Sequence, residues 1–64
     1  VKRHYNGLYL RTTRDAVTKS GKALDEGKIL MAVGDADSDW WVPVIFRGSV
    51  DYVRSGDVAV LVMT

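Results

Sequence analysis

The chain predicts a single all-β domain, a small barrel of five short strands with one 3₁₀ turn. Three observations predict it. Short apolar runs alternate with turns built from Gly, Asp and Ser, which is the punctuation of strands. No stretch of the 64 residues makes a convincing helix. The central segment ALDEGKILMAVGDADSDWWVPV, residues 23–44, runs from a polar turn through a strand and an acidic turn to an aromatic-led strand, a hairpin pattern.

The elements follow in order. Residues 1–6 are basic and polar and read as a frayed end or a short first strand. Residues 7–12 read as a strand, with Leu8 and Leu10 on one face and Tyr9 on the other. Residues 13–22, TRDAVTKSGK, hold only two apolar side chains, Ala16 and Val17, and Gly21 with the β-branched residues opposes a helix. They read as a long loop or irregular hairpin, with Val17 tucked back onto the domain.

Asp25-Glu26-Gly27 makes a turn into the apolar strand 29–33, and 34–39 make the acidic turn. Residues 40–46 are apolar on both faces, Trp40, Val42, Val44 and Phe46 alternating with Trp41, Pro43 and Ile45. One small core cannot bury both, so a loop or a partner is expected on the outer face, which is assigned to Val42, Val44 and Phe46. Pro43 lacks an N–H and demands an edge or bulge position. Arg47-Gly48 is a tight turn. Val50 and Tyr52 then alternate with Asp51 and Val53 on a strand that pairs back on 40–46. Residues 54–57 form the 3₁₀ turn and 58–63 the last strand.

Composition bounds the function. A chain this short buries only about 60% of its unfolded surface, and without cysteine it has no disulfide to add. One histidine and no cysteine exclude a Cys/His zinc site. No apolar run approaches the roughly 18 residues of a membrane span, and no signal-type apolar stretch follows Lys2-Arg3. The compartment stays open.

The net charge of +1 hides a dipolar layout. Residues 1–28 carry seven Lys and Arg against three acids; residues 29–64 carry two against five. The pI of 8.3 lies below the value of about 9 that marks nucleic-acid binders. Asp35, Asp37 and Asp39 recur at alternate positions but lack the Gly and Glu of an EF-hand loop, so no metal is expected. No catalytic constellation is present, and neither enzymatic activity nor a cofactor is expected.

The layout resembles the SH3 family over residues 8–62. Leu24-Asp25-Glu26-Gly27-Lys28 through Trp40-Trp41 is similar to the family's apolar, polar-pair and Gly step, acidic loop and Trp-Trp pair. The segment from Asp51 to Val58 resembles the family's later Gly-aromatic-aliphatic-Pro-Ser-Asn-Tyr-Val run, and Leu8-Tyr9 its first-strand Leu-Tyr. The resemblance implies a peptide groove floored by Trp40 and Tyr9. Arg54 stands where the family has proline, Asp57 where it has the second groove tyrosine, and Arg11 where the first-strand motif has another. Tight binding of Pro-x-x-Pro peptides is therefore not expected. Leu10-Arg11 and Tyr52-Val53 are about equally similar to bacterial SH3-like modules, a likeness that implies cell-wall peptide binding or protein docking.

The expected function is a non-enzymatic binding module for a peptide or protein segment. Trp40, Tyr9 and Tyr52 would form its aromatic platform, edged by Asp35, Asp37 and Asp39, with a cation over the Trp40 ring. Trp41, pointing to the opposite face, would pack. One alternative is a structural or oligomerising subunit whose Val42, Val44 and Phe46 are buried by another chain. The other, which the charge argues against, is a nucleic-acid-binding barrel using Lys2, Arg3, Arg11 and Arg14.

Overall fold

The computed structural model describes residues 4–61. Among them are seven strands: β1 (Tyr9–Thr12), β2 (Ala16–Val17), β3 (Ala23–Leu24), β4 (Ile29–Ala32), β5 (Trp41–Phe46), β6 (Ser49–Arg54) and β7 (Val58–Val60). A single 3₁₀ turn, Ser55–Asp57, joins β6 to β7. Five strands form one antiparallel sheet in the order β6-β5-β4-β1-β7, and β2 pairs with β3 in a separate ribbon. The fold is all-β, and the 3₁₀ turn lies where the sequence predicts it. β6 and β7 are opposite edges with no ladder between them, so the sheet is not the closed barrel expected. Lys2, Arg3 and the end of the predicted last strand, residues 62 and 63, lie outside the described residues.

Period-2 alternation decides the core. Register pairs Leu10 with Leu30, Ala32 with Val44 and Val42 with Val53, which puts these side chains on one face. Phe46, Leu24 from the ribbon and Ala36 from the acidic loop complete the cluster. Each fully buried Val, Leu or Phe is worth about 1.5–3 kcal/mol. Thr12 is buried among them, its hydroxyl donating to the Asp25 carbonyl at 2.7 Å and accepting from the Lys28 amide at 2.8 Å.

This register reverses one expectation. Val42, Val44 and Phe46 are not an outer face awaiting a partner; they are 0–4% exposed and form the middle of the core. The outer face of β5 is Trp41, Pro43 and Ile45. Trp40 stands outside the alternation because its backbone is left-handed, with φ 66°. Val17 is a second correction. It is 57% exposed, whereas its neighbour Thr18 is 3% exposed. In the β2–β3 ribbon Ala16 pairs with Leu24, so the inward face holds Ala16 and Leu24 and turns Val17 outward.

The ribbon is held to the edge of β6. The Lys19 amide donates to the Tyr52 carbonyl at 2.9 Å. The Ser20 hydroxyl donates to Asp51 Oδ2 at 2.5 Å, and the Tyr52 amide to Asp51 Oδ1 at 2.8 Å. Edge groups of β6 are thus consumed by the chain itself, which blunts one site of strand addition.

Two turns show why their residues are needed. Arg47 and Gly48 both have positive φ, 53° and 79°, as a two-residue type I′ hairpin turn requires. Pro43 sits in an interior strand, yet the β4–β5 ladder ends beside it at Ala32 and Val44, and its carbonyl accepts from the Val33 amide. The missing N–H therefore falls at the ladder's end. Gly34 faces the proline ring there, and a Cβ on Gly34 would lie 2.8 Å from Pro43 Cγ. Gly34→Ala is expected to cost about 1–3 kcal/mol by overpacking. Gly56→Ala, whose Cβ would meet nothing within 4 Å, should stay within about 0.5 kcal/mol. Urea midpoints of the two variants check the contrast.

Candidate functional site

Two carboxylates of the acidic loop, Asp35 and Asp37, accept from backbone amides. Asp35 Oδ1 accepts from the Tyr5 and Asn6 amides at 3.1 and 3.0 Å, and Oδ2 lies 3.7 Å from His4 Nδ1. The Asn6 amide above all, with the Tyr5 amide and His4, holds the Asp35 carboxyl below its ordinary range. Asp37 Oδ1 accepts from the Asp39 and Trp41 amides at 2.9 and 3.0 Å, an Asx turn that brings the chain into β5. Among the described residues no group of three carboxylates or imidazoles gathers at a metal-binding spacing.

Trp40 closes that turn. Its amide donates to the Asp37 carbonyl at 3.0 Å and its carbonyl accepts from the Ser55 amide at 2.9 Å. A left-handed backbone costs a bulky residue about 1–2 kcal/mol, and the ring offsets this by packing half-buried against the core. Trp40 thereby links the acidic loop to the 3₁₀ turn.

Tyr9 and Tyr52 belong to a different surface. Tyr9 pairs with Met31, Met31 with Ile45 and Ile45 with Val50, a cross-strand row over β1, β4, β5 and β6. All four are 40–55% exposed. Tyr52 pairs with Pro43 in the next row, and Arg54 with Trp41 in the one beyond. No ladder joins Tyr9 to Tyr52 or either to Trp40. The six residues expected to share one site are thus divided between the loop that shapes β5 and the outer face of the sheet.

That outer face has a cationic end. Arg54 Cζ lies 4.4 Å from the centre of the Trp41 ring. Lys19 Nζ, carried in by the ribbon, lies 5.6 Å from the Trp41 ring and 5.5 Å from that of Tyr52. All three distances are within reach of a cation–π attraction. Trp41, expected only to pack, is half-buried beneath these cations. Lys19, Met31, Ile45, Val50 and Arg54 were not among the expected site residues. The apolar ones had a signal in the alternation of β5, once the inner set is recognised as Val42, Val44 and Phe46; Lys19 and Arg54 had none.

An open hollow of about 470 Å³ lies elsewhere, lined by His4, Tyr5, Leu8 and Val60. It is apolar apart from His4 and Tyr5. No helix among the described residues is long and apolar enough to cross a membrane. No protein-family model matches the chain, and no similar curated protein or solved structure was found.

Proposed function

We propose that this chain is a non-enzymatic binding module of the SH3-like kind that docks a protein or peptide segment on the outer face of its sheet. The observation that carries this reading is the exposed row Tyr9, Met31, Ile45 and Val50 crossing four adjacent strands. Single exposed apolar residues are ordinary, whereas a contiguous set marks an interaction surface. The antiparallel sheet, the ribbon in place of a plain loop and the one-turn link before β7 support the SH3-like reading. In this proposal Tyr9 and Tyr52 keep a binding role, while Trp40, Asp35 and Asp37 shape the loop.

Peptides selected from a random display library on the folded domain test it. Their affinity is expected to fall at least about tenfold on Ile45→Lys and on Met31→Lys, with unchanged circular dichroism because both side chains are exposed. Failure to select any binder, or binders indifferent to both substitutions, would overturn the reading. Sedimentation of the free domain reads the competing role. A dimer dissociated by Ile45→Lys would make the row a self-assembly surface instead.

A further inference from the structure

The Trp41 end of the outer face adds a charge requirement to the apolar row. Lys19 and Arg54 reach it from different elements, the ribbon and β6, and converge on one aromatic ring. Among the described residues neither forms an ion pair, and both are exposed. Three carboxylates near Trp41 and Arg54 along the chain, Asp37, Asp51 and Asp57, are otherwise engaged, Asp57 with Arg14 at 3.6 Å. Asp51 is turned inward onto the Ser20 hydroxyl and the Ser20 and Tyr52 amides. Asp37 accepts from the Asp39 and Trp41 amides. The ring faces orient the two cations without neutralising them, and their outward sides remain for an external anion.

We infer that the docked segment is an acidic one, with two carboxylates on Lys19 and Arg54 and an adjoining apolar side chain on Tyr52, Pro43 and Ile45. This rests on the outer face being the docking surface. Register supports the spacing. Trp41, Pro43 and Ile45 follow one another along the exposed side of β5, so a segment laid along that strand meets cations first and the apolar row next. Single-stranded nucleic acid fits less well. Its bases need bare aromatic faces for stacking, and here Lys19 and Arg54 lie over the rings.

The experiment uses two fluorescein-labelled peptides of identical apolar sequence, one carrying Asp and Glu and the other Asn and Gln at the same positions. The acidic peptide should bind at least about tenfold more tightly, and its affinity should fall when salt rises from about 50 to 500 mM. Arg54→Gln and Lys19→Gln should each weaken it about three- to tenfold, with little effect on the amide peptide. Arg54→Glu with Lys19→Glu should reverse the preference, so that a Lys-substituted peptide binds best. Equal binding of acidic and amide peptides, both lost on Ile45→Lys, would overturn the acidic requirement and leave the docking surface standing. Binding of neither, with peptides selected elsewhere on the domain, would overturn both. Tighter binding of an oligothymidylate than of the acidic peptide would replace the partner class with single-stranded nucleic acid.

Discussion

Phe46→Ala is expected to leave about half or more of the protein unfolded at 25 °C, while Ile45→Ala leaves it folded. The two residues are adjacent in β5, apolar and large, and differ in face. Phe46 is 4% exposed against Val42, Val44 and the rest of the core. Its ring also carries Lys28 Nζ at 5.7 Å and Arg47 Cζ at 5.0 Å. Truncating a buried Phe costs about 3–5 kcal/mol. A core of this size rarely supplies more than about 3–5 kcal/mol in total, so the loss equals the whole stability. Ile45 is 40% exposed and its truncation should cost less than about 1 kcal/mol. Thermal or urea unfolding followed by Trp fluorescence measures both. A folded Phe46→Ala domain would mean that β5 has the opposite face inward, as the sequence alone led us to expect.

Asp51→Ala should be the next most damaging substitution outside the apolar core, at about 2–3 kcal/mol. The side chain is 4% exposed and receives the Ser20 hydroxyl, the Ser20 amide and the Tyr52 amide. Removing it leaves three part-buried donors without this partner, and an unsatisfied donor costs up to about 1–3 kcal/mol, before the loss of packing. Acid should reproduce part of the effect. Burial alone would raise the Asp51 pKa, but the Ser20 hydroxyl, the Tyr52 amide, Thr18 and the Ser20 amide outweigh it and bring it from 3.8 to about 2. The unfolded chain therefore takes up the proton first. The stabilisation is complete above pH 3.8 and is lost as pH falls from there through about 2. Urea midpoints between pH 2 and 7 should fall over that window in the wild type. In Asp51→Asn they should start lower and fall less, the remainder including Asp35, whose pKa is also lowered. A wild-type and Asp51→Asn pair with parallel pH profiles would show that Asp51 does not couple the ribbon to β6.

Asp51 also shows where sequence reading stops short. The alternation of Val50 and Tyr52 against Asp51 and Val53 was visible in the chain. With Val53 buried, the same period of two sends Asp51 inward. What could not be read was the compensation. A buried carboxylate needs donors, and these come from Ser20, thirty-one positions away on the tip of the ribbon. Lys19 reaches Trp41 and Tyr52 through the same docking, so the cationic end of the outer face was equally invisible.

Local chemistry alone determined the turns and the five strands of the main sheet, whereas the β2–β3 ribbon was expected as a loop or irregular hairpin. Gly, Asp and Ser clusters end the apolar runs, Arg47-Gly48 admits the positive φ of a two-residue turn, and 54–57 make one 3₁₀ turn. All of these act within a few residues, so they are written in the chain itself. Tertiary structure alone decided which face of β5 is core. Both faces are apolar, and the choice depends on pairing with Ala32 in β4 and Val53 in β6 and on the left-handed turn at Trp40. The same long-range register separated Tyr9 and Tyr52 from Trp40 and assembled the outer row from four strands. Hydrophobic burial is non-directional. Where a strand offers two apolar faces, only its neighbours select one.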